Sequence, residues 1–224
     1  MKASLPLLLL LLALPVRAEE LQLSVIANNA THWDAWRIAQ QALRRAGVSA
    51  SPREVPAERA LAMANSGATD GDVARVEAVG RLYPDLVRVP EPSLFYEAFA
   101  FAYTRFDTSS GWDSLHTHTV CLRRGIKIFE MRTEGMQRQV LEDDKSLLRM
   151  LRNGGCDVAL VEPNNPEVIA AMLSDPPLFR LMPPLEGTPL YIYLHKSHAA
   201  LVPRIAEALR QMRLDGTLPR MPNN

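Results

Sequence analysis

Segments of strand character alternate with segments of helical periodicity along almost the whole chain, and this alternation restricts the fold more than any other feature. Residues 21–27 form a short apolar run that leads into a helical pattern ending at Gly47. Residues 53–55 and 57–65 repeat the order of strand and then helix. Such alternation predicts an α/β protein with parallel sheets, built from right-handed crossover units.

The second half of the chain starts a new alternation after one long apolar segment. Residues 94–104 are apolar at both parities, which is typical of a strand buried on both faces. Strand and helix patterns then alternate over residues 119–173. A late strand at 190–195 and a helix at 200–214 complete the chain. We therefore expect two lobes, with the last elements returning to the first lobe.

The first 18 residues have the layout of a secretory signal peptide. Lys2 precedes an apolar run at 5–13, a helix-breaking Pro15 follows, and Val16 and Ala18 supply the small residues of a cleavage site. A membrane anchor is the alternative, but the apolar run is shorter than the roughly 20 residues that a bilayer requires. We expect cleavage after Ala18 and export to the periplasm, which leaves 206 of the 224 residues.

The charge balance argues against a polymer as the binding partner. The chain has 25 basic and 25 acidic side chains, with 47% hydrophobic residues. No basic stripe is available for nucleic acid, and the composition is that of an ordinary globular protein. The length fits one large domain or two small lobes.

Cys121 and Cys156 are the two cysteines, and both lie in apolar segments of strand character. In an oxidising compartment they can form one disulfide. Two buried free thiols that pack as small hydrophobic groups are the alternative. The sequence leaves both open.

Several ordered segments resemble a known family. They are Asn-Ser-Gly-Ala-Thr-Asp-Gly at 65–71, Val-Arg-Val-Pro-Glu-Pro at 87–92, Asp-Val-Ala-Leu-Val-Glu at 157–162 and Asp-Gly-Thr at 215–217. In this order, with the apolar run up to Tyr103 between them, they resemble the type 2 periplasmic substrate-binding proteins. Within these, the chain is similar to solute-binding protein family 3, which serves amino-acid import systems.

The resemblance implies a Venus-flytrap α/β fold with a discontinuous first lobe. Lobe 1 would comprise residues 19–103 and 191–224, lobe 2 would comprise residues 104–190, and the ligand would lie in the cleft between them. The implied function is capture of a small polar ligand, an amino acid or a related compound, by a periplasmic monomer that delivers it to the membrane permease of an ABC-type importer. A ligand-sensing or partner-binding periplasmic module with a degenerate cleft is the alternative.

The resemblance also suggests which residues contact the ligand. Arg75 is the nearest match to the family's carboxylate-binding arginine, and Glu162 occupies the position of the acidic group that binds the ligand ammonium. A salt bridge for Arg75 and a solvated loop carboxylate for Glu162 are the structural alternatives. The Gly-Thr of the family is replaced here by Gly125-Ile126, so one hydroxyl is missing. The complete set of predicted contacts is Asn28, Asn29, Trp33, Asp70, Arg75, Tyr103, Arg124 and Glu162. Helix capping is the alternative for the two asparagines, and core packing or surface exposure is the alternative for Trp33.

No motif in the sequence favours an enzyme. A nucleophile elbow, a His-Glu-x-x-His helix and a phosphate-binding glycine loop are all missing from the sequence. His116 with His118 and His195 with His198 form loose pairs without a further ligand at metal-binding spacing. We therefore expect a binding protein without a metal or cofactor, and a hydrolase or dehydratase on the same scaffold is the weaker alternative.

Overall fold

The computed structural model describes residues 20–219 and residue 221. The predicted signal peptide and its cleavage site lie outside the described residues. No helix in the described part of the chain is long and apolar enough to cross a membrane. The strands are β1 (Leu21–Ile26), β2 (Ala50–Val55), β3 (Gly71–Arg75), β4 (Leu86–Arg88), β5 (Leu94–Ala98), β6 (Ala100–Ala102), β7 (Val120–Arg123), β8 (Arg138–Leu141), β9 (Val158–Leu160), β10 (Phe179–Arg180) and β11 (Glu186–His195). The α-helices are α1 (Ala30–Arg45), α2 (Ala57–Asn65), α3 (Val79–Leu82), α4 (Lys127–Arg132), α5 (Asp144–Arg152), α6 (Pro166–Met172) and α7 (Val202–Leu214), and 3-10 helices span Gly111–Leu115 and Lys196–Leu201.

The first sheet has the strand order β2-β1-β3-β11-β4, with β5 paired to the other end of β11. Strand β1 runs parallel to β2 and β3, whereas β11 is antiparallel to β3, β4 and β5. Helix α1 packs an alanine-rich face that includes Ala35, Ala39 and Ala42 into the core of this sheet. Because β1 and β3 are parallel neighbours, their carboxyl ends lie at the same edge of the sheet.

The second sheet has the order β10-β6-β9-β7-β8. Strand β7 runs parallel to β8 and β9, and β6 is antiparallel to β9. Cys121 in β7 and Cys156, which precedes β9, are joined by a disulfide with a Cα–Cα distance of 5.9 Å. The bridge lies in a separate apolar cluster with Leu147 and Leu151 of α5.

The chain crosses between the two sheets at two places. Strand β5 pairs with β11 in the first sheet, and after Phe99 alone the chain continues as β6 in the second sheet. The segment predicted as one strand over 94–104 is therefore two strands. The predicted burial on both faces holds for β6, whereas β5 leaves Glu97 exposed. The return crossing lies between β10 and β11. Sheet membership thus changes near residues 99 and 181–185, whereas the predicted lobe boundaries at 103/104 and 190/191 stay a prediction.

Candidate ligand-binding site

Four strand ends meet where the two sheets face each other. From the first sheet, β1 is followed by Asn29 and Thr31, and β3 ends at Arg75. From the second sheet, β7 ends at Arg123, and β9 is followed by Glu162. Ligands of open α/β sheets bind outside the carboxyl ends of the strands, so the fold places its most suitable polar side chains in one cleft.

Glu162 reaches from the second sheet to the start of α1. Its carboxylate accepts hydrogen bonds from Thr31 Oγ1 at 2.6 Å and from Asn29 Nδ2 at 3.4 Å. The side chain is buried, and this burial raises the pKa of Glu162 above its ordinary value. Tyr96 of β5 lies beside it, and burial, with the nearby Glu162 charge, raises the pKa of Tyr96 as well. The uncharged side chains of Thr31 and Asn29 thus hold the Glu162 carboxyl group in the cleft.

Arg75 carries a positive charge into the cleft from the first sheet. Its Nη2 donates to Asp72 Oδ2 at 2.7 Å, and both side chains are almost completely buried. Asp72 also accepts from the backbone N–H of Ala74 at 3.2 Å. The two residues are three positions apart in β3, so the strand that carries the guanidinium also supplies the carboxylate that orients it.

Arg123 brings a second positive charge to the cleft, from the end of β7 in the second sheet. Its Nη2 donates to the carbonyl oxygen of Ala27 at 2.9 Å, and its Nη1 donates to that of Asn28 at 3.4 Å. On the other side it lies 3.6 Å from Asp144 Oδ2, which also accepts from Asn165 Nδ2 at 2.8 Å. Arg123 therefore connects the first turn after β1 to the helix starts of the second sheet.

His32 is buried near both guanidinium groups. Burial, followed by the charges of Arg75 and Arg123, lowers the pKa of His32 well below its ordinary value. The backbone N–H of Ile26 donates to His32 Nδ1 at 3.4 Å, which assigns the ring proton to Nε2. A neutral imidazole therefore lies close to the two arginines.

Unpaired hydrogen-bonding atoms concentrate at this cleft. Four buried side-chain N or O atoms in the described part of the chain lack a partner, and three of them are Arg75 Nε, Tyr96 Oη and Arg123 Nε. Native proteins satisfy the great majority of such groups, so three at one place indicate a position where another molecule supplies the partners. A cavity of about 40 Å³ lies between the sheets, and its polar lining residues are Asn29, Thr31, His32, Arg75, Tyr96, Lys127 and Glu162.

Three of the predicted contacts, Asn29, Arg75 and Glu162, line this cavity together. Asn29 is also the N-cap of α1, because its Oδ1 accepts from His32 N at 2.8 Å. Asn28 has an exposed side chain and a positive φ of 52°, and it contributes its carbonyl to Arg123. Trp33 is half-buried against the core of the first sheet.

The other three predicted contacts lie away from the cavity. Asp70 accepts from Gln22 N at 2.7 Å and pairs with His198 at 2.6 Å. Tyr103 accepts from Arg152 Nε at 3.2 Å, beside the second core cluster. Arg124 is 41% exposed and pairs with Glu142 at 2.8 Å. Their roles as ligand contacts stay predictions that the geometry of the cavity does not favour.

Six residues of the site were not among the predicted contacts, namely Thr31, His32, Tyr96, Arg123, Lys127 and Asp144. Arg123 could have been suspected because it lies near a Gly at the end of an apolar strand. The adjacent Arg124 has the same position in the pattern, so the sequence does not distinguish the two. The signal for Thr31 was its place in the first turn of a helix that follows a buried strand.

Comparisons with known proteins show what the chain is similar to. No family model matches the sequence. A protein of Shewanella oneidensis described only as uncharacterized is 27% identical over 194 residues, which cover 82% of this chain and 72% of that protein.

Among solved structures, the chain is similar to a histidine kinase sensor domain with similarity to periplasmic binding proteins, with a TM-score of 0.72, 17% identity, and coverage of 90% of this chain and 93% of that domain. An ancestral arginine-binding protein bound to arginine gives a TM-score of 0.69 at 15% identity, covering 88% of this chain and 94% of that protein. The substrate binding protein of an amino acid ABC transporter gives 0.67 at 14% identity, covering 88% and 95%. These similarities confirm the predicted fold: the chain has the two-sheet α/β fold of the type 2 periplasmic binding proteins.

Proposed function

We propose that this protein is an exported solute-binding protein that captures a small zwitterionic molecule, an amino acid or a close relative, in the cleft between its two sheets. The proposal rests mainly on the convergence of Arg75 and Glu162 on one cavity, where the buried Arg75 Nε has no hydrogen-bond partner among the described residues. A carboxylate would pair with the guanidinium, and an ammonium would pair with the glutamate. We expect the protein to act as a periplasmic monomer that delivers its ligand to the permease of an ABC-type importer, as the amino-acid ABC transporter protein similar in fold suggests.

The size of the cavity narrows the ligand class. One buried water needs on the order of 10–15 Å³ of cavity volume. A cavity of about 40 Å³ therefore has room for roughly three to four water-sized groups. Even glycine, with five non-hydrogen atoms, exceeds this room, so any amino acid requires the two sides of the cleft to separate. The separation needed is smallest for glycine and alanine and larger for arginine, to which one protein of similar fold is bound.

A second candidate function is supported by a different observation. The two sides of the cleft already contact each other directly, through Thr31 with Glu162 and through Arg123 with Ala27. A ligand has to replace or accommodate these contacts, and the solved structures of similar fold include a sensor domain of a histidine kinase. A sensing or partner-binding module is therefore the alternative to transport. Neighbouring permease and ATPase genes favour transport, whereas a neighbouring sensor kinase gene favours the alternative.

A thermal-shift screen of the mature protein tests the proposal. The compounds are the twenty amino acids, polyamines and small organic acids. At about 100 times its dissociation constant, a ligand adds roughly 2.7 kcal/mol to the free energy of unfolding, or about 5–10 °C in Tm for a chain of this length. We expect a shift with a small amino acid, and no shift with any compound contradicts a solute-binding function.

Conservative variants then test the site. R75K keeps a charge beside Asp72 but loses the planar fork, and E162Q keeps an acceptor for Thr31 but loses the charge. We expect each to weaken binding of the hit at least tenfold by isothermal titration calorimetry. R44A is the control, since Arg44 is exposed on α1 away from the cavity and its loss should leave the affinity unchanged. Equal affinities for R75K, E162Q and R44A would place the ligand elsewhere.

A further inference from the structure

A larger groove lies on the side of the molecule where α3 of the first sheet faces α4 of the second. Its volume is about 600 Å³, which falls within the range of small-molecule sites of roughly 300–1,000 Å³. The lining comes from the β3–α3 loop, α3, β4, α4 and β11. Neither Arg75 nor Glu162 lines this groove, so it is distinct from the candidate ligand cavity, although Val76 and Ile128 border both.

The charged lining of the groove has an excess of positive charge. Three arginines, Arg81, Arg88 and Arg132, face it with two glutamates, Glu77 and Glu186. Arg88 pairs with Glu77 at 2.8 Å, and Arg132 pairs with Glu186 at 2.6 Å. Both pairs contain a side chain that is more than half exposed, so each contributes little and can exchange partners with a bound anion. Arg81 forms no ion pair with any residue that the structure describes.

Two of these charged groups are held in place by neighbours outside the ion pairs. The Arg88 guanidinium stacks 4.5 Å from the centre of the Tyr191 ring. Trp112 Nε1 donates to Glu186 Oε2 at 2.7 Å, so Arg132 faces a carboxylate that is already anchored. The ring covers the face of the Arg88 guanidinium, so its edge is directed to anionic groups, at present to the exposed carboxylate of Glu77.

The remaining lining is apolar and adaptable. Met131 is 37% exposed there and Ile128 is half-buried, whereas Leu86 and the Tyr193 ring border the groove from the core and are almost completely buried. Methionine side chains adjust to ligands of irregular shape. The groove therefore combines an apolar surface with cationic groups from both sheets.

We propose that the groove between α3 and α4 is a second binding site, which takes an organic anion with an apolar body. The acidic group pairs with Arg81, and the apolar body packs on Met131 and Ile128. Because α3 and α4 belong to different sheets, the site depends on both halves of the molecule. The inference does not require a ligand in the Arg75 cavity.

The experiment uses 1-anilinonaphthalene-8-sulfonate, an aromatic anion, as a fluorescent probe of the mature protein. We expect saturable binding of one probe molecule per chain. R81E and M131E should each weaken it at least tenfold, because the first reverses the unpaired charge and the second places a carboxylate against the naphthalene ring. R44E is the matched control, since Arg44 is also exposed and lies on α1 away from the groove. It should change the affinity less than twofold.

Two further measurements decide the outcome. N-phenyl-1-naphthylamine lacks the sulfonate and should bind at least tenfold more weakly than the anion. Near-UV circular dichroism and Tm of R81E should match those of the wild type, since Arg81 is exposed. The proposal is overturned if R81E and M131E bind the probe as R44E does, or if the neutral compound binds as tightly as the anion.

Discussion

Individual residues in the cleft are held by burial as much as by charge. Asp72 with Arg75 and Arg123 with Asp144 are ion pairs whose side chains are nearly all protein-covered, and His32 lies close to both arginines. Removing one partner of such a pair leaves a buried charge, at a cost of about 3–5 kcal/mol. For this reason the site variants above keep either the charge or the hydrogen-bonding capacity of the residue that they replace.

His32 gives the folded protein a specific pH dependence. Its folded-state pKa is lowered, so below about pH 6.5 the unfolded chain binds a proton that the folded chain does not. The stabilisation is fully present above pH 6.5 and is lost as the pH falls toward the lowered value, by at most about 1.4 kcal/mol per pH unit. We expect H32N to remove this slope in urea unfolding measured between pH 5 and pH 7.

Comparison with the wild type isolates the histidine. Glu162 has a raised pKa, so its contribution has the opposite sign and decreases as the pH rises above about 4.5. The Glu162 contribution is present in both the wild type and H32N. It therefore cancels when the free energy of unfolding of one protein is subtracted from that of the other at each pH. A difference between wild type and H32N that does not change with pH would contradict a neutral His32.

Some of these residues could be predicted from the sequence and others could not, and the reasons are physical. Arg123 and Arg124 are adjacent, and only the register of β7 and the turn at Gly125 decide which of them points into the cleft. Arg75 was reached through the family resemblance, yet its pairing with Asp72 could not be predicted, because β3 itself was not recognised as a strand. Asp72 and Arg75 interrupt the apolar pattern of that strand, and their charges neutralise each other only in the folded chain.

At the level of elements, the alternation of strands and helices was sufficient to predict the class of fold. The boundaries of β1, α2 and α7 agree with the sequence pattern to within a residue or two. Strand β11 is longer than the predicted 190–195, because Pro189 faces β5 at the sheet edge and does not end the strand. The crossing at Phe99 could not be predicted, since a continuous apolar run does not reveal which sheet each part joins.

The disulfide between β7 and the start of β9 stabilises the second sheet. It closes a loop with a sequence separation of 35 residues, and Cys121 and Cys156 are both buried. Reduction should lower the free energy of unfolding by about 3–4 kcal/mol through the added entropy of the unfolded chain. The measurement is urea unfolding with and without dithiothreitol. The C121A/C156A variant should not respond to the reductant, and an unchanged midpoint for the wild type would contradict a stabilising bridge.

For the whole molecule, the contact between the two sheets depends on a glycine. Gly125 follows β7 with a φ of +83°, and a Cβ at this position would lie 2.3 Å from the backbone nitrogen of Glu58 at the start of α2. No side chain fits there without separating the two sides of the cleft. The close contact between Gly125 and the start of α2 also allows Arg123 to reach Ala27 and Thr31 to reach Glu162. The closed arrangement therefore requires that residue 125 has no side chain.

G125A should hold the cleft open, and G135A is its matched control. Gly135 has a φ of +81°, and a Cβ added there would meet no described atom within 4 Å. Both variants therefore bear a backbone cost of about 1 kcal/mol, but only G125A meets a steric barrier. We expect G125A alone to show a larger radius of gyration by small-angle X-ray scattering and faster amide exchange at the start of α2. Its affinity for any cleft ligand should decrease in proportion to the lost closed population. If G125A scatters and exchanges as G135A does, the close approach at Gly125 does not control closure.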